Sequence, residues 1–374
     1  MKEVHMWTIS KQQDWAYLEG CFDWVRVMQE VPQDERHHAE GNVAIHTQMV
    51  LAALKALPGF AALAPAAQEV LWAAALLHDV EKYSTTVLEP DGSITSKGHA
   101  RKGETRARQI LYRDIATPFE IREQIAKLVR YHGLPLWIFE KPDPQRALIL
   151  ASMEVNTQWL ALLARADALG RICEDQAELL YRIDCFEELC RENNCWGAAY
   201  PFATDTAKMH YLQREEVSPE YVPFEKPQVS VVLMSGLPGA GKDTYVQRHY
   251  KQWPVISLDD IRVSMKIKPT DKSGNGQVIQ AAKEMAKGYL RQQKDFVWNA
   301  TNITRQMREQ LIGLFLTYQA RVTIVYIEVP CQELLQQNRS REAIVPAAAM
   351  ERLIQKLEVP TLTEAHEVVY AVRG

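Results

Sequence analysis

The first half of the chain has the apolar spacing of helices. From about Asp14 to Cys195, apolar residues recur every three or four positions, which places them on one face of an α-helix. Segments that alternate apolar and polar residues, as half-buried strands do, are almost absent there. We therefore predict an all-helical domain over residues 1–214. The segment 215–227 has three prolines in polar surroundings and no period, which is typical of a linker.

After residue 228 the pattern changes to short β-rich segments that alternate with helical ones. Five segments have strand character: VSVVLMS (229–235), WPVISL (253–258), DFVWNA (295–300), RVTIVYIEV (321–329) and EVVYAVR (367–373). Strands and helices in alternation favour a parallel sheet with crossover helices. The chain is therefore predicted to be multidomain, with an all-α domain followed by an α/β domain over residues 228–374.

Length and composition fit this two-domain prediction. The chain has 374 residues, of which 47% are hydrophobic and 24% charged, as in soluble globular proteins. No apolar segment approaches the 18 residues of a membrane span, and residues 1–10 do not resemble a signal peptide. We expect a cytoplasmic protein without a membrane partner. The oligomeric state stays open.

Charge and cysteine content add two smaller points. The net charge is −4, but residues 228–374 carry 19 Lys+Arg against 14 Asp+Glu, which leaves −9 for residues 1–227. This is only a weak indication that the second half attracts a polyanion. The six cysteines show no CxxC spacing, so we expect reduced thiols packed in helices.

Four polar residues lie on apolar faces of different predicted helices: His46, His78, His132 and Asp167. Burying a carboxylate and several imidazoles costs several kcal/mol unless they are paired, hydrogen-bonded or bound to metal. A metal ion that gathers histidine and aspartate from facing helices would remove this cost. For any single histidine, a hydrogen-bonded core residue is an equally good interpretation.

Five segments of this half resemble the HD-superfamily metal-dependent phosphohydrolases: AIHTQMVLAAL, ALLHDVEKYSTT, KGHARKGETRARQIL, LVRYHGLP and LLARADALGR. The resemblance covers a core at about residues 35–175. It implies one or two divalent transition metal ions (Mn, Ni, Zn, Fe or Co), with these ligands of the first metal: His46, His78, Asp79 and Asp167. It also implies that His99 and His132 either contact substrate phosphate or complete a second metal site.

The same resemblance places Lys82 where the family often has a lysine that contacts phosphate. A solvated helix residue is the alternative interpretation for Lys82. The implied chemistry is attack of metal-activated water on a phosphoester.

In the second half, SGLPGAGKDTY (235–245) has the spacing of a phosphate-binding loop between a strand and a helix. The glycines allow backbone N–H groups to turn towards phosphate, and Lys242 reaches the β and γ phosphates. We therefore expect ATP with Mg²⁺ to bind these residues: Gly236, Gly239, Ala240, Gly241, Lys242, Asp243 and Thr244. In the usual pattern Ser or Thr holds the magnesium ion at the position of Asp243.

Two further segments offer catalytic groups. Asp259 follows the second predicted strand and is placed to accept a proton from a substrate hydroxyl, and Arg262 could grip a phosphate. Helix capping by Asp259 and Asp260 is an equally good alternative. Arg339 and Arg341, in QQNRSREAIVP, could close on the triphosphate, unless that segment is only a solvated basic turn.

GLPGAGKDT, ISLDDIR, FVWNATNIT and NRSREAIVP together resemble the P-loop polynucleotide 5'-kinases, over about residues 228–370. The resemblance implies Asp259 as general base, Arg262 for the acceptor phosphate, and Arg339 and Arg341 at the triphosphate. Two departures stand out. Asp243 replaces the magnesium-binding hydroxyl, and Asn299 replaces the aspartate that many relatives carry. A carboxylate is a good magnesium ligand, so Asp243 could hold the ion itself.

An HD domain followed by such a kinase resembles the bacterial bifunctional end-healing enzymes. That resemblance implies phosphorylation of 5'-OH ends of RNA or DNA and hydrolysis of 2',3'-cyclic phosphate or 2'-phosphate ends, with a separate ligase as partner. Two alternatives stay open. The acceptor could be a small molecule or a charged tRNA, or the chain could be a nucleotide-sensing module without catalysis.

Overall fold

The computed structural model describes residues 6–224, 226–268, 270–340 and 344–373. The chain divides into two compact units, Met1–Pro201 and Phe202–Gly374. The division precedes the boundary at residue 214 that the sequence indicates, because helix Asp205–Gln213 is bonded to the second unit. Lys208 donates to the carbonyl of His366 at 2.8 Å. Asp205 pairs with Arg321 at the same distance.

The first unit is helical, as predicted, with one small exception. Its helices are α1 (Trp15–Cys21), α2 (Asp23–Arg26), α3 (Val43–Ala56), α4 (Pro58–Ala61), α5 (Pro65–Leu77), α6 (Lys82–Thr85), α7 (His99–Gln109), α8 (Phe119–Tyr131), α9 (Leu134–Trp137), α10 (Pro144–Ser152), α11 (Thr157–Leu169) and α12 (Gln176–Glu192). Two 3₁₀ turns, Val27–Glu30 and Ile138–Glu140, and a π-helical turn, Ile110–Asp114, extend them. The exception is an antiparallel hairpin of two short strands, β1 (Val87–Leu88) and β2 (Ile94–Thr95).

One continuous apolar core holds this unit together. Helix α5 lies at its centre and is buried over nine consecutive residues, 69–77. Helices α3, α8 and α11 pack against it. Capping side chains fix where two of these helices begin: Asn42 accepts from the N–H of Ile45 at α3, and Asn156 accepts from Trp159 at α11. This packing fixes the ends of α5 and α8, the first turn of α3 and the last turn of α11 relative to one another.

The second unit is an α/β fold. Its helices are α13 (Asp205–Gln213), α14 (Lys242–His249), α15 (Leu258–Ser264), α16 (Lys272–Arg291), α17 (Arg305–Leu316), α18 (Cys331–Arg339) and α19 (Ala347–Gln355). Its strands are β3 (Val229–Ser235), β4 (Val255–Ser257), β5 (Phe296–Asn299), β6 (Ala320–Glu328) and β7 (Glu367–Val372). The five strands are parallel and lie in the order β4-β5-β3-β6-β7.

All five strands that the sequence predicts are present, and the predicted fold class is confirmed. The central strand β3 is almost fully buried, as expected for a strand covered on both faces. Because the strands are parallel, the loops that follow β3, β4, β5 and β6 leave the same edge of the sheet. The phosphate-binding loop and the segments with Asp259 and Asn299 therefore share that edge.

The six cysteines are free thiols. Within the described residues, no single helix is both long and apolar enough to cross a membrane. The helices Pro144–Ser152 and Thr157–Leu169 are long and apolar enough only when they are counted together, and they are bent by 111° relative to each other.

Candidate metal centre and nucleotide-binding loop

Three histidines of the first unit are oriented by the same backbone contact. The Nδ1 atoms of His78, His99 and His132 lie 2.7–2.8 Å from the carbonyl oxygen three residues earlier, at Ala75, Ser96 and Val129. A carbonyl only accepts, so each Nδ1 carries a proton and, in the neutral ring, each Nε2 has a free lone pair. His78 and His132 follow the last residues of α5 and α8, and His99 begins α7. The backbone at these helix ends thus fixes both the orientation of the three imidazole rings and the position of the proton on Nδ1.

These lone pairs converge on the carboxylate of Asp79. Its Oδ2 lies 3.2 Å from His78 Nε2 and 3.8 Å from His46 Nε2. Its Oδ1 lies 3.3 Å from His99 Nε2 and 3.9 Å from His132 Nε2. Asp79 therefore stands between two pairs of histidines, with one oxygen towards each pair.

The donor atoms fit a divalent transition metal. His46 and His78 present Nε2 atoms 3.4 Å apart, and those of His99 and His132 are 3.2 Å apart. Two lone pairs at this separation repel each other, whereas metal–nitrogen bonds of about 2.1 Å in a tetrahedral site place two ligands about 3.4 Å apart. Asp79 Oδ1 is also buried without a hydrogen-bond partner among the described residues. Among the described residues, three sets could hold an ion, and two of them share Asp79: His46, His78 and Asp79, and Asp79, His99 and His132; the third is His38, Glu40 and His46.

Asp167 reaches the first set from helix α11. Its Oδ1 lies 3.1 Å from His46 Nε2. Arg171, one turn later, grips both oxygens of Asp167 at 3.1 and 2.7 Å. Burial opposes ionisation of Asp167, but Arg171 and His46 outweigh it and hold its pKa well below the usual value. Asp167 is therefore a fixed anion beside the proposed first metal.

Protonation of the cluster favours metal ligation. Burial lowers the pKa of His132 to about 3 and also lowers that of His99, so both rings are neutral at pH 7. Burial opposes ionisation of Asp79 as well, but His78 and Lys82 keep its pKa well below the usual value. Burial likewise opposes a proton on His78, yet Asp79 and Asp167 raise its pKa. The centre thus attracts positive charge, and a divalent cation meets that demand.

A buried carboxylate, Glu40, supports the first set from outside. Glu40 Oε1 lies 2.8 Å from His46 Nδ1 and 2.8 Å from His38 Nδ1, and Oε2 accepts from the backbone N–H of Ile172 at 2.9 Å. Burial opposes ionisation of Glu40, but bonds to the two histidines outweigh it and lower its pKa. Burial lowers the pKa of His38 to about 4, so this ring is neutral. Glu40 fixes the tautomer of His46, whose Nε2 then faces the metal.

Glu40→Gln is expected to weaken metal binding about 10- to 100-fold, because an amide orients His46 less firmly than a carboxylate does. Titration of the metal-depleted chain with Mn²⁺ or Zn²⁺ measures this. Glu69→Gln is the matched control, since Glu69 is also a poorly exposed acid of this unit and, among the described residues, bonds to Ile9 and Gln13. Equal metal affinity of the two variants would contradict the role of Glu40.

The cluster opens into a cavity of about 720 Å³ with basic walls. Lys82, which the sequence left open as a solvated residue, is buried there and bonds to Asp79 Oδ2 at 2.8 Å and to Gln33 Oε1 at 2.6 Å. The Gln33 amide nitrogen is buried without a partner among the described residues. Arg130 and Arg171 also line the cavity. The cavity therefore offers cations and a free donor to an anionic ligand.

In the second unit, the loop after β3 has the backbone of a phosphate cradle. Gly236 has φ +146°, and a Cβ there would lie 2.4 Å from the carbonyl oxygen of Ile327, so no other residue fits. Gly239 and Gly241 also have positive φ, of 86° and 102°. Lys242 Nζ donates to the carbonyls of Gly236 and Leu237 at 2.9 Å, so the lysine arches over the loop. Ala240 is buried within it, and Asp243 and Thr244 are exposed in the first turn of α14.

The two residues that depart from the kinase pattern contact each other. Asn299, at the end of β5, donates through Nδ2 to Asp243 Oδ1 at 2.6 Å. Asn299 is buried, and its Oδ1 has no partner within the described part of the chain. Relative to the pattern, the carboxylate has moved from the strand end to the first turn of the helix. The pair keeps one carboxylate and one neutral oxygen beside the loop, which is a donor set that suits Mg²⁺.

Asp259 and Arg262 are neighbours on helix α15, the helix that follows β4. Asp259 lies in its first turn and is exposed, and it forms an ion pair with Arg262. Arg262 Nε also donates to Asn275 Oδ1 at 3.0 Å. The helix is capped by Ser257, whose side chain accepts from the N–H of Asp260, so Asp259 does not serve as the cap.

Arg339 is exposed in the last turn of α18. Arg341 lies outside the described residues. Asn338 bonds to Val345 in both directions, accepting at 3.1 Å and donating at 2.8 Å, so the two sides of this segment are joined. Asn338 and Asn275 are supporting residues that the sequence did not single out. Their partners are identified only once the fold places them.

Two family models match parts of the chain. Residues 42–171 match the HD domain family, and residues 231–360 match an AAA domain family. The chain thus has an HD domain followed by a P-loop domain of kinase-like fold. The transcription factor bHLH140 of Arabidopsis thaliana is 25% identical over 183 residues, which are 45% of this chain but 19% of that protein. The chain therefore spans only a small part of that relative.

Two solved structures resemble part of the chain. A protein of Chloroflexus aurantiacus assigned as a kinase is 14% identical with a TM-score of 0.35, over 40% of this chain and 87% of that one. A gluconokinase of Sinorhizobium meliloti is 16% identical with a TM-score of 0.29, over 40% and 86%.

Proposed function

We propose that this protein is a two-domain enzyme that heals nucleic-acid ends. The HD domain hydrolyses 2',3'-cyclic phosphate or 2'-phosphate ends, and the P-loop domain transfers the γ-phosphoryl group of ATP to a 5'-OH. The observation that carries the proposal is the presence in one chain of a His/Asp cluster in a basic cavity and a P-loop with Asp259 and Arg262 at the same sheet edge.

In the HD domain, the chain's own residues would hold the metals, orient the phosphoester and neutralise its charge. His46, His78, Asp79 and Asp167 would hold the first ion, and His99 and His132 with Asp79 a second. Bound metal would supply a water of lowered pKa and stabilise the added negative charge. Lys82 and Arg171, both in the cavity wall, are placed to bind the phosphate oxygens.

In the P-loop domain, Lys242 and the N–H groups of the loop would bind the triphosphate, and Asp243 with Asn299 would hold Mg²⁺. Asp259 would accept the proton of the 5'-OH. Its exposure suits this role, because a large polynucleotide must reach it. Arg262 would bind the phosphate next to the accepting nucleotide, and Arg339 and Arg341 would stabilise the transferring group.

One experiment tests both halves. An RNA 12-mer with a 5'-OH and a 2',3'-cyclic phosphate is incubated with the protein, ATP and Mg²⁺, Mn²⁺ or Ni²⁺, and both ends are analysed. We expect a 5'-phosphate and loss of the cyclic phosphate. Lys242→Ala should lose only the first reaction. Failure of wild type to transfer phosphate would reject the kinase proposal, and a panel of nucleosides and small alcohols would then test a small acceptor.

A further inference from the structure

The first unit has a second concave surface, which we call the α7 groove. It has a volume of about 630 Å³ and lies between helix α7 and the segment that follows Asp79. Three cations line it: Arg101, Lys102 and Arg106. Thr105 and Ser84 add hydroxyl groups. The lining contains no large apolar side chain, which favours a charged ligand over a lipid or an apolar peptide.

The cations of the α7 groove are not neutralised by their surroundings. None of Arg101, Lys102 and Arg106 forms an ion pair with another described residue. On the same helix, in contrast, Arg108 is buried against Glu104 and Glu123. The one acid in the groove, Glu81, accepts a hydrogen bond from Ser84. Three unpaired cations in a domain of net charge −9 (residues 1–227) create a local positive field.

The groove adjoins the metal centre along the chain. Ser96 and His99 line the catalytic cavity, whereas Gly98, Arg101 and Lys102 line the groove. Lys102 lies one helical turn from His99, whose Nε2 faces Asp79. The two concavities thus meet at the first turn of α7, from which a chain bound at Asp79 is expected to continue onto the α7 groove.

We propose that the α7 groove binds the sugar-phosphate backbone of a single-stranded polynucleotide, next to the end that the metal centre hydrolyses. Five residues of helix separate Arg101 from Arg106, a rise of about 7.5 Å, which exceeds one phosphate group and suits neighbouring phosphodiesters. This inference rests on the proposed function and makes it more specific: the HD domain acts on polynucleotide ends in preference to mononucleotides.

The test compares two substrates in the triple variant R101A/K102A/R106A. One is an RNA 12-mer with a 2',3'-cyclic phosphate, and the other is a 2',3'-cyclic mononucleotide. We expect KM for the 12-mer to rise about 10- to 100-fold with little change in kcat, and both constants for the mononucleotide to stay unchanged. The salt dependence of 12-mer binding should also weaken, by about 2 in the slope of log K against log salt, since each lost phosphate contact contributes about 0.7.

The control removes the same charge elsewhere on the domain. The variant K11A/R26A/R191A changes three exposed cations outside the groove and should bind the 12-mer like wild type. The proposal is overturned if the groove variant changes KM for both substrates equally or for neither. It is also overturned if inorganic phosphate displaces a labelled 12-mer from the protein as well as unlabelled 12-mer does. If wild type hydrolyses neither substrate, the proposed HD activity fails, while the binding slopes still decide whether the groove holds RNA.

Discussion

Asp79→Asn is expected to lower the phosphohydrolase activity at least about 1,000-fold, which corresponds to about 4 kcal/mol of transition-state stabilisation. Asp79 places one oxygen towards His46 and His78 and the other towards His99 and His132. An amide retains the size but offers one neutral oxygen, so both proposed metals lose a charged ligand. Hydrolysis of the cyclic-phosphate 12-mer and the metal content of the purified variant measure the effect.

The kinase reaction is the internal control for this variant. Asp79 lies in the first unit, which has its own core, so transfer to a 5'-OH should be as fast as in wild type. A thermal unfolding curve separates loss of metal from loss of fold. If Asp79→Asn retains metal and hydrolysis, the assignment of Asp79 as the shared ligand is wrong.

Asp243→Ala is expected to reduce kcat of phosphoryl transfer about 100-fold, because it removes the only carboxylate of the Asp243–Asn299 pair beside the loop. It also leaves the buried Asn299 without its described partner. Asp243→Ser should keep measurable activity and shift metal preference, since a hydroxyl is the usual ligand at this position. Transfer of label from ATP to a 5'-OH 12-mer, with Mg²⁺ or Mn²⁺, measures each variant.

The double variant D243S/N299D makes this test sharper. It returns the carboxylate to the strand end and the hydroxyl to the helix, so it should be more active than the product of the two single effects predicts. Asp259 and Arg339 are the same in every variant of this series, so differences in activity report on positions 243 and 299 alone. Wild-type activity of Asp243→Ala would show that Asp243 has no part in holding the ion.

Much of the fold followed from the sequence because local patterns determine it. The five strands of the second unit were found from their β-rich segments, and Gly236 was named as part of the phosphate-binding loop, whereas its close approach to the carbonyl of Ile327 is seen only in the structure. The β1–β2 hairpin was missed, because its strands have two residues each and give no periodic signal. Helix α13 was assigned to the first domain, and only its contacts to His366 and Arg321 group it with the second compact unit.

The metal centre was found in part. Its histidines could be recognised in the sequence as polar residues on apolar helix faces. The structure brings them close together. Glu40 gave no such signal, because it lies outside the helices and its bond to Ile172 spans 132 positions of the chain. The contact between Asp243 and Asn299 was equally hidden, since two departures that lie 56 residues apart show their connection only once β5 and α14 are adjacent.

The bonds that orient His78, His99 and His132 have a consequence for how this protein can vary. Each ring is aimed by a backbone carbonyl three residues earlier, and a backbone carbonyl survives any side-chain substitution at its position. The ligand directions are thus encoded in where helices begin and end, whereas the substrate is met by side chains of the cavity wall. The directions of these three ligands can therefore be kept while other wall residues change, provided that Lys82 and Arg171, which bond to Asp79 and Asp167, are retained.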